Sequence, residues 1–148
     1  MDLRAALSCC PIAAILRGVK PDEIEEIGDA LIEAGVTIIE VPLNSPQPFD
    51  SIARLAQRYS ECLVGAGTVL DAGDIERVAA AGGKLIVMPH GDTRIVREAK
   101  RQGLVCIPGV ATPTEAFAAL EAGADGLKMF QAEQLAPDGR PLGAGVLF

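Results

Sequence analysis

A parallel α/β protein whose strands are buried on both faces is the fold this sequence predicts, and three observations predict it. The first is a repeated unit. The segments "LIEAGVTIIEVPL" (31–43), "VAAAGGKLIVMPH" (78–90), "AKRQGLVCIPGV" (99–110) and "ALEAGADGLKMF" (119–130) each pass from a helical end through glycine into a short apolar run. That is how a helix C-cap hands the chain to a strand. Second, these runs are continuously apolar rather than alternating, which suits strands covered on both sides. Third, the stretches between them carry helix start signals, so strand and helix alternate along the chain.

The opening "MDLRAALSCCPIAAILRGV" imitates a secretory leader, with Arg4 ahead of an apolar run. Pro11 splits that run and Arg17 ends it without a cleavage pattern, so no leader is expected. The first strand lies in "IAAILRG" (12–18). "KPDEIEEIGDALIEAG" then opens on Pro21 with three acids in its first turn and sets Ile24, Ile27, Leu31 and Ile32 on one face. Those are the marks of an amphipathic helix covering a sheet. "CLVGAGT" (62–68) supplies a third strand, and "TPTEAFAALEAG" offers Thr112 or Thr114 as N-cap, Pro113 as first helical residue and Glu115 in the first turn.

Six strands begin near residues 12, 36, 62, 84, 104 and 125, within one domain spanning 1–148. A closed (β/α)8 barrel requires two more. The tail "LAPDGRPLGAGVLF" does not read as a strand–helix–strand continuation. The residues alone leave two architectures standing, an open six-stranded sheet and a barrel that stops early.

Composition narrows the function. At 49% hydrophobic and 22% charged the chain is a folded domain rather than a disordered one. A net charge of −7 repels a phosphate backbone, and aromatics at 3% with no Trp give no stacking platform, so no nucleic-acid partner is expected. No apolar run approaches the ~20 residues of a spanning helix, so no membrane partner is expected either. Cys9, Cys10, Cys62 and Cys106 lack metal-ligand or redox spacing and read as small buried hydrophobes in a reducing cytoplasm.

Two charged residues sit where a buried strand should carry none. Lys128 lies inside "GLKMF" and Glu40 inside "TIIEVPL". In parallel α/β folds reactive groups gather at the C-terminal ends of strands, and Arg17, Thr68, Pro89, His90 and Pro108 also fall there. Taken singly each has an ordinary explanation. A strand-end lysine commonly snorkels to solvent, "GAGT" (65–68) suits a tight turn, and Arg17 a solvated loop. A lysine and a carboxylate facing one cavity are different. Desolvation makes a neutral amine available to attack a ketone, and the carboxylate can move protons around the iminium that results. That is class I aldolase chemistry and needs neither metal nor cofactor. A zinc site drawing on several imidazoles is not expected from a chain with one histidine.

At these residues the sequence resembles the 2-keto-3-deoxy-6-phosphogluconate and 2-keto-3-deoxy-6-phosphogalactonate aldolases. The matching pieces are "IAAILRGV", "LIEAGVTIIEVPLNSP", "VGAGTVLD", "LIVMPH" and "CIPGVATPTEAFAALEAGADGLKMF", in family order over residues 11 to about 134. The resemblance implies an α/β fold of (β/α)8 TIM-barrel type, lacking about the last two βα units here, and a homotrimer. It implies Lys128 as the Schiff-base lysine and Glu40 as the general acid/base. Arg17, Thr68 and Pro89 would surround the pyruvyl part of a phosphorylated keto-acid, with Asn44 also binding substrate and Phe130 lining the pocket. Pro42, Leu43 and Asn44 resemble the galactonate-type members. The implied reaction is cleavage of 2-keto-3-deoxy-6-phosphogalactonate to pyruvate and glyceraldehyde 3-phosphate.

The sequence departs from the family at Gln131, where a proline is usual, and no seventh or eighth strand with its phosphate-binding loops is recognisable. Two alternatives follow: a catalytically impaired remnant of the aldolase, and another phosphate-binding barrel, an isomerase or synthase, using Glu40 as base with Lys128 as an electrostatic clamp. Losing two strands is also expected to leave the edges of the first and sixth strands unpaired.

Overall fold

The computed structural model describes residues 1–130 and the pair Val146–Leu147. Five strands pair in parallel and in chain order: β1 (Ala13–Ile15), β2 (Ile38–Pro42), β3 (Leu63–Gly67), β4 (Leu85–Val87) and β5 (Val105–Ile107). Pro108 has no N–H to donate to a ladder and interrupts the fifth strand. The chain resumes as β6 (Gly109–Val110), which pairs in parallel with β7 (Leu127–Met129). Backbone bonds from Asp125 N to Cys106 O and from Lys128 N to Pro108 O carry the ladder across the break. β5 and β6 are therefore one bent stave, and six staves stand in sequence order. Doubly wound sheets reverse their strand order at a switch point. No reversal occurs among the described strands, which favours the barrel over the open sheet.

Side-chain alternation then builds two cores. One face of the sheet places Ile39, Val41, Val64, Ala66, Ile86, Met88 and Cys106 against the helices. The other turns Ile38, Leu63, Leu85, Val87 and Ile107 into a lumen. The lumen is packed at its lower end by Leu3 and Ala6 of α1 (Leu3–Cys9). That helix forms because the Asp2 carboxylate caps it, accepting from Ala5 N at 2.8 Å. The leader-like opening is thus a structural plug.

The outer layer is α2 (Ile24–Glu33), α3 (Pro48–Arg58), α4 (Gly73–Ala80), α5 (Thr93–Arg101) and α6 (Pro113–Glu121). The helix–glycine–strand unit has a common backbone cause. Gly35, Gly82, Gly103 and Gly123 follow α2, α4, α5 and α6 with φ between 74° and 101°, the left-handed cap that glycine adopts without steric cost. α2 begins at Ile24 rather than at Pro21, which sits in the preceding turn. At α6 Thr112 is the N-cap and Glu115 closes the capping box. Thr112→Ala is expected to lower the unfolding free energy by about 1 kcal/mol, seen as a lower urea midpoint at unchanged slope.

Two expectations require correction. Cys62 and Cys106 are buried, as small hydrophobes should be, but Cys9 is exposed at the end of α1. The edge of the sixth stave is not bare either: β8 (Val146–Leu147) pairs with β7, antiparallel, with Lys128 opposite Val146. A seventh barrel strand would run parallel, so this pairing covers the edge without continuing the barrel. The rest of the tail lies outside the described residues. Among the described residues no helix is long and apolar enough to cross a membrane.

Candidate functional site

Glu40 occupies the third position of β2, in register with Ile15 of β1 and Gly65 of β3. Ile38, two residues earlier, belongs to the lumen core. Strand alternation therefore turns Glu40 into the lumen as well, above that apolar plug. Its side chain is only 4% exposed, and Oε2 has no hydrogen-bond partner among the described residues. Burial raises its pKa above the ordinary carboxylate range, while the positive charges of Lys128 and then Arg17 oppose that rise. Glu40 thus lies within the electrostatic reach of both cations that the sequence singled out. A buried carboxylate oxygen left unpaired requires a reason, and waiting for a substrate proton is one.

Lys128 sits mid-strand in β7, opposite Gly109 of β6, and is half-buried. Its Nζ lies 5.5 Å from the centroid of the Phe130 ring, within cation–π range. Phe130 itself is partly exposed, so it walls the amine on one side only.

Arg17 follows β1, and the two neighbouring stave ends fix its guanidinium. Nη1 donates to Asn44 Oδ1 at 2.9 Å and Nη2 to Thr68 Oγ1 at 3.5 Å. Thr68 holds φ at 55°, a left-handed conformation that a β-branched residue adopts only under strain. Such strain concentrates at functional sites. Its hydroxyl is thereby aimed at the arginine.

Pro89 ends the fourth stave. Its carbonyl carbon would lie 2.6 Å from a Cβ at position 109, so Gly109 is what lets the loop after β4 close on β6. His90 is exposed, and its electrostatic influence falls on Asp92 rather than Glu40. Asp92 is held down to about 2, chiefly by its bonds to Arg94.

The structure therefore brings Lys128, Glu40 and Arg17 into one electrostatic group, ties Asn44 and Thr68 to it through Arg17, and sets Phe130 beside Lys128. Two contributors carried no distinctive sequence signal. Ser45 is buried and its Oγ accepts from Gly18 N at 3.0 Å, joining the loop after β2 to the loop that carries Arg17. Gly67, read as part of a tight turn, packs directly against the Glu40 carboxyl.

The chain is similar to known proteins. The family model described as "Aldolase: KDPG and KHG aldolase" matches residues 3–137. A probable 2-dehydro-3-deoxy-6-phosphogalactonate aldolase of Rhizobium meliloti (strain 1021) is 52% identical over 130 residues, covering 87% of this chain and 61% of that protein. The 2-dehydro-3-deoxy-6-phosphogalactonate aldolase of Escherichia coli (strain K12) is 44% identical over 128 residues, covering 86% and 62%. A solved native KDPGal structure superposes with a TM-score of 0.83 at 44% identity, over 87% of this chain and 63% of that one. The chain spans about three-fifths of the length of these relatives.

Proposed function

Because the chain belongs to the KDPG and KHG aldolase family, we propose that it performs the Schiff-base chemistry of an aldolase acting on 2-keto-3-deoxy-6-phosphogalactonate. The observation that carries this reading is the buried Glu40 carboxyl group, whose Oε2 has no hydrogen-bond partner among the described residues, under the joint influence of Lys128 and Arg17.

The lone pair of the Lys128 amine adds to the C2 ketone carbon, and the carbonyl oxygen, once protonated, leaves the carbinolamine as water to give an iminium. Glu40 accepts the proton of the C4 hydroxyl, directly or through a water. The C3–C4 bond breaks, its electron pair moving into the iminium, which leaves an enamine and glyceraldehyde 3-phosphate. Glu40 returns the proton to C3, and hydrolysis of the iminium frees pyruvate and the amine. A pKa raised by burial suits this double duty, since an acid–base group works best near the ambient pH.

Arg17, oriented by Asn44 and Thr68, is assigned to the substrate carboxylate, where a guanidinium forms paired charge-assisted bonds. Arg17→Met is expected to raise the pyruvate concentration needed for half-maximal covalent capture by about 10- to 100-fold, the loss of a charged hydrogen bond. Loops after the seventh and eighth strands commonly hold phosphate in this fold. The six described staves are therefore assigned the pyruvyl end of the substrate, and weak affinity for its phosphate end is expected. The same reading makes residues 1–148 one partial barrel domain that assembles as a cytoplasmic homotrimer. Light scattering that returns a three-chain mass supports the trimer, and a monomer mass rejects it.

The decisive experiment is borohydride reduction in the presence of pyruvate, followed by intact mass. One reduced pyruvyl group per chain is expected. A protein that stays unmodified would overturn the Schiff-base reading.

A further inference from the structure

We propose that Gly67 is a positioning residue for proton transfer, and that its missing side chain creates the seat in which the Glu40 carboxylate rests. The inference builds on the role given to Glu40 above. A Cβ placed on Gly67 would meet three nearest atoms, all of Glu40: Oε2, Cδ at 2.7 Å and Cγ at 3.4 Å. Nothing in the backbone demands glycine here, because Gly67 is absent from the positive-φ glycines. Its neighbour in the motif differs. A Cβ on Gly65 would run into the main chain of Leu85, with Cα at 2.7 Å, so Gly65 serves strand packing.

Gly67 cannot easily retreat from the carboxylate. It pairs with Pro42 across the sheet, its carbonyl accepts from Leu43 N at 2.9 Å, and the next residue is the strained Thr68. In Gly67→Ala the carboxylate must therefore move rather than the strand. A carboxylate displaced by a methyl group loses the alignment that proton transfer requires. Aspartate, shorter by one methylene, draws the terminal oxygen out of the place that methyl would take and so relieves the worst of the overlap.

The test follows exchange of pyruvate methyl protons for solvent deuterium by NMR. Exchange requires the Lys128 iminium, removal of a C3 proton by Glu40 with the C–H electron pair forming the enamine, and return of a deuteron. Gly67→Ala is expected to slow exchange at least about tenfold. Glu40→Asp alone slows it too, yet Glu40→Asp in the Gly67→Ala background is expected to speed it relative to Gly67→Ala. A role for Gly67 in the fold alone predicts additive losses, and either additivity or wild-type exchange by Gly67→Ala overturns the seat. A stability cycle gives an answer independent of catalysis. Gly67→Ala should lower the urea midpoint when residue 40 is Glu and leave it unchanged in a Glu40→Ala background. An equal fall in both backgrounds, or failure of the double variant to fold, rejects the proposal. If wild type neither captures pyruvate nor exchanges its protons, the aldolase reading fails, and the cycle alone then decides whether Gly67 seats Glu40.

Discussion

Lys128→Ala is expected to abolish covalent capture of pyruvate and to reduce retro-aldol release to the uncatalysed level. The prediction rests on what the other lysines do. Lys84 Nζ donates to Ser60 O at 2.8 Å, and Lys100 Nζ bonds the Leu104 carbonyl and both oxygens of Asp125. Lys20 lines a shallow polar cleft with Asp22, Gln47, Asp50 and Arg54. None of these charges acts on Glu40, whereas Lys128 does. Equal labelling of Lys128→Ala and wild type, mapped to another lysine, would remove the nucleophile from β7 and with it the assigned site.

Lys128→Arg separates nucleophile from clamp. Arginine keeps the positive charge beside Glu40 but has no free amine to form an iminium. If Lys128 served only as an electrostatic clamp for a Glu40 base, the arginine variant would keep substantial turnover of a phosphorylated substrate. If Lys128 is the nucleophile, arginine is as inactive as alanine.

Much of the barrel was legible because its grammar is local. Each glycine that switches helix to strand does so through its own φ, and the capping box at Thr112 lies within four residues. Lys128 and Glu40 stood out for a related reason: a charge inside an apolar strand conflicts with the environment its neighbours predict. The unread features depend on partners distant in sequence. α1 looked like a leader because its purpose, packing Leu3 and Ala6 against Ile38, Leu63 and Leu85, exists only once the lumen forms. Ser45 has meaning through Gly18, and Gly67 through Glu40, each 27 positions away. In sequence Gly67 reads as an ordinary turn residue, and Ser45 carries no distinctive signal. The antiparallel pairing of Val146–Leu147 with β7 was illegible for the same reason, since two residues carry no periodicity.

Glu40→Gln is expected to slow pyruvate proton exchange by about 10²- to 10⁴-fold, the usual contribution of a positioned acid–base group, while making the fold more stable at neutral pH. The sign follows from burial. The carboxyl pKa in the folded protein lies above its ordinary value of 4.5. Below pH 4.5 both folded and unfolded chains hold the proton and Glu40 costs nothing. As pH climbs past 4.5 the unfolded chain ionises first, so folding must keep a proton that solvent would release, and stability falls until the folded group ionises too. The loss is about 1.4 kcal/mol for each pH unit separating the two values. Gln cannot ionise and escapes it. Urea midpoints of wild type and variant should therefore converge at acid pH and separate, with Glu40→Gln the more stable, as pH rises above 4.5. Curves that stay parallel over that range would mean Glu40 titrates alike in both states and is not the buried acid–base group. A substitution that strengthens the fold while removing the exchange reaction is the signature of a residue kept for chemistry at the expense of stability. A packing residue, or a carboxylate retained only to balance Lys128 and Arg17, would lose stability when neutralised.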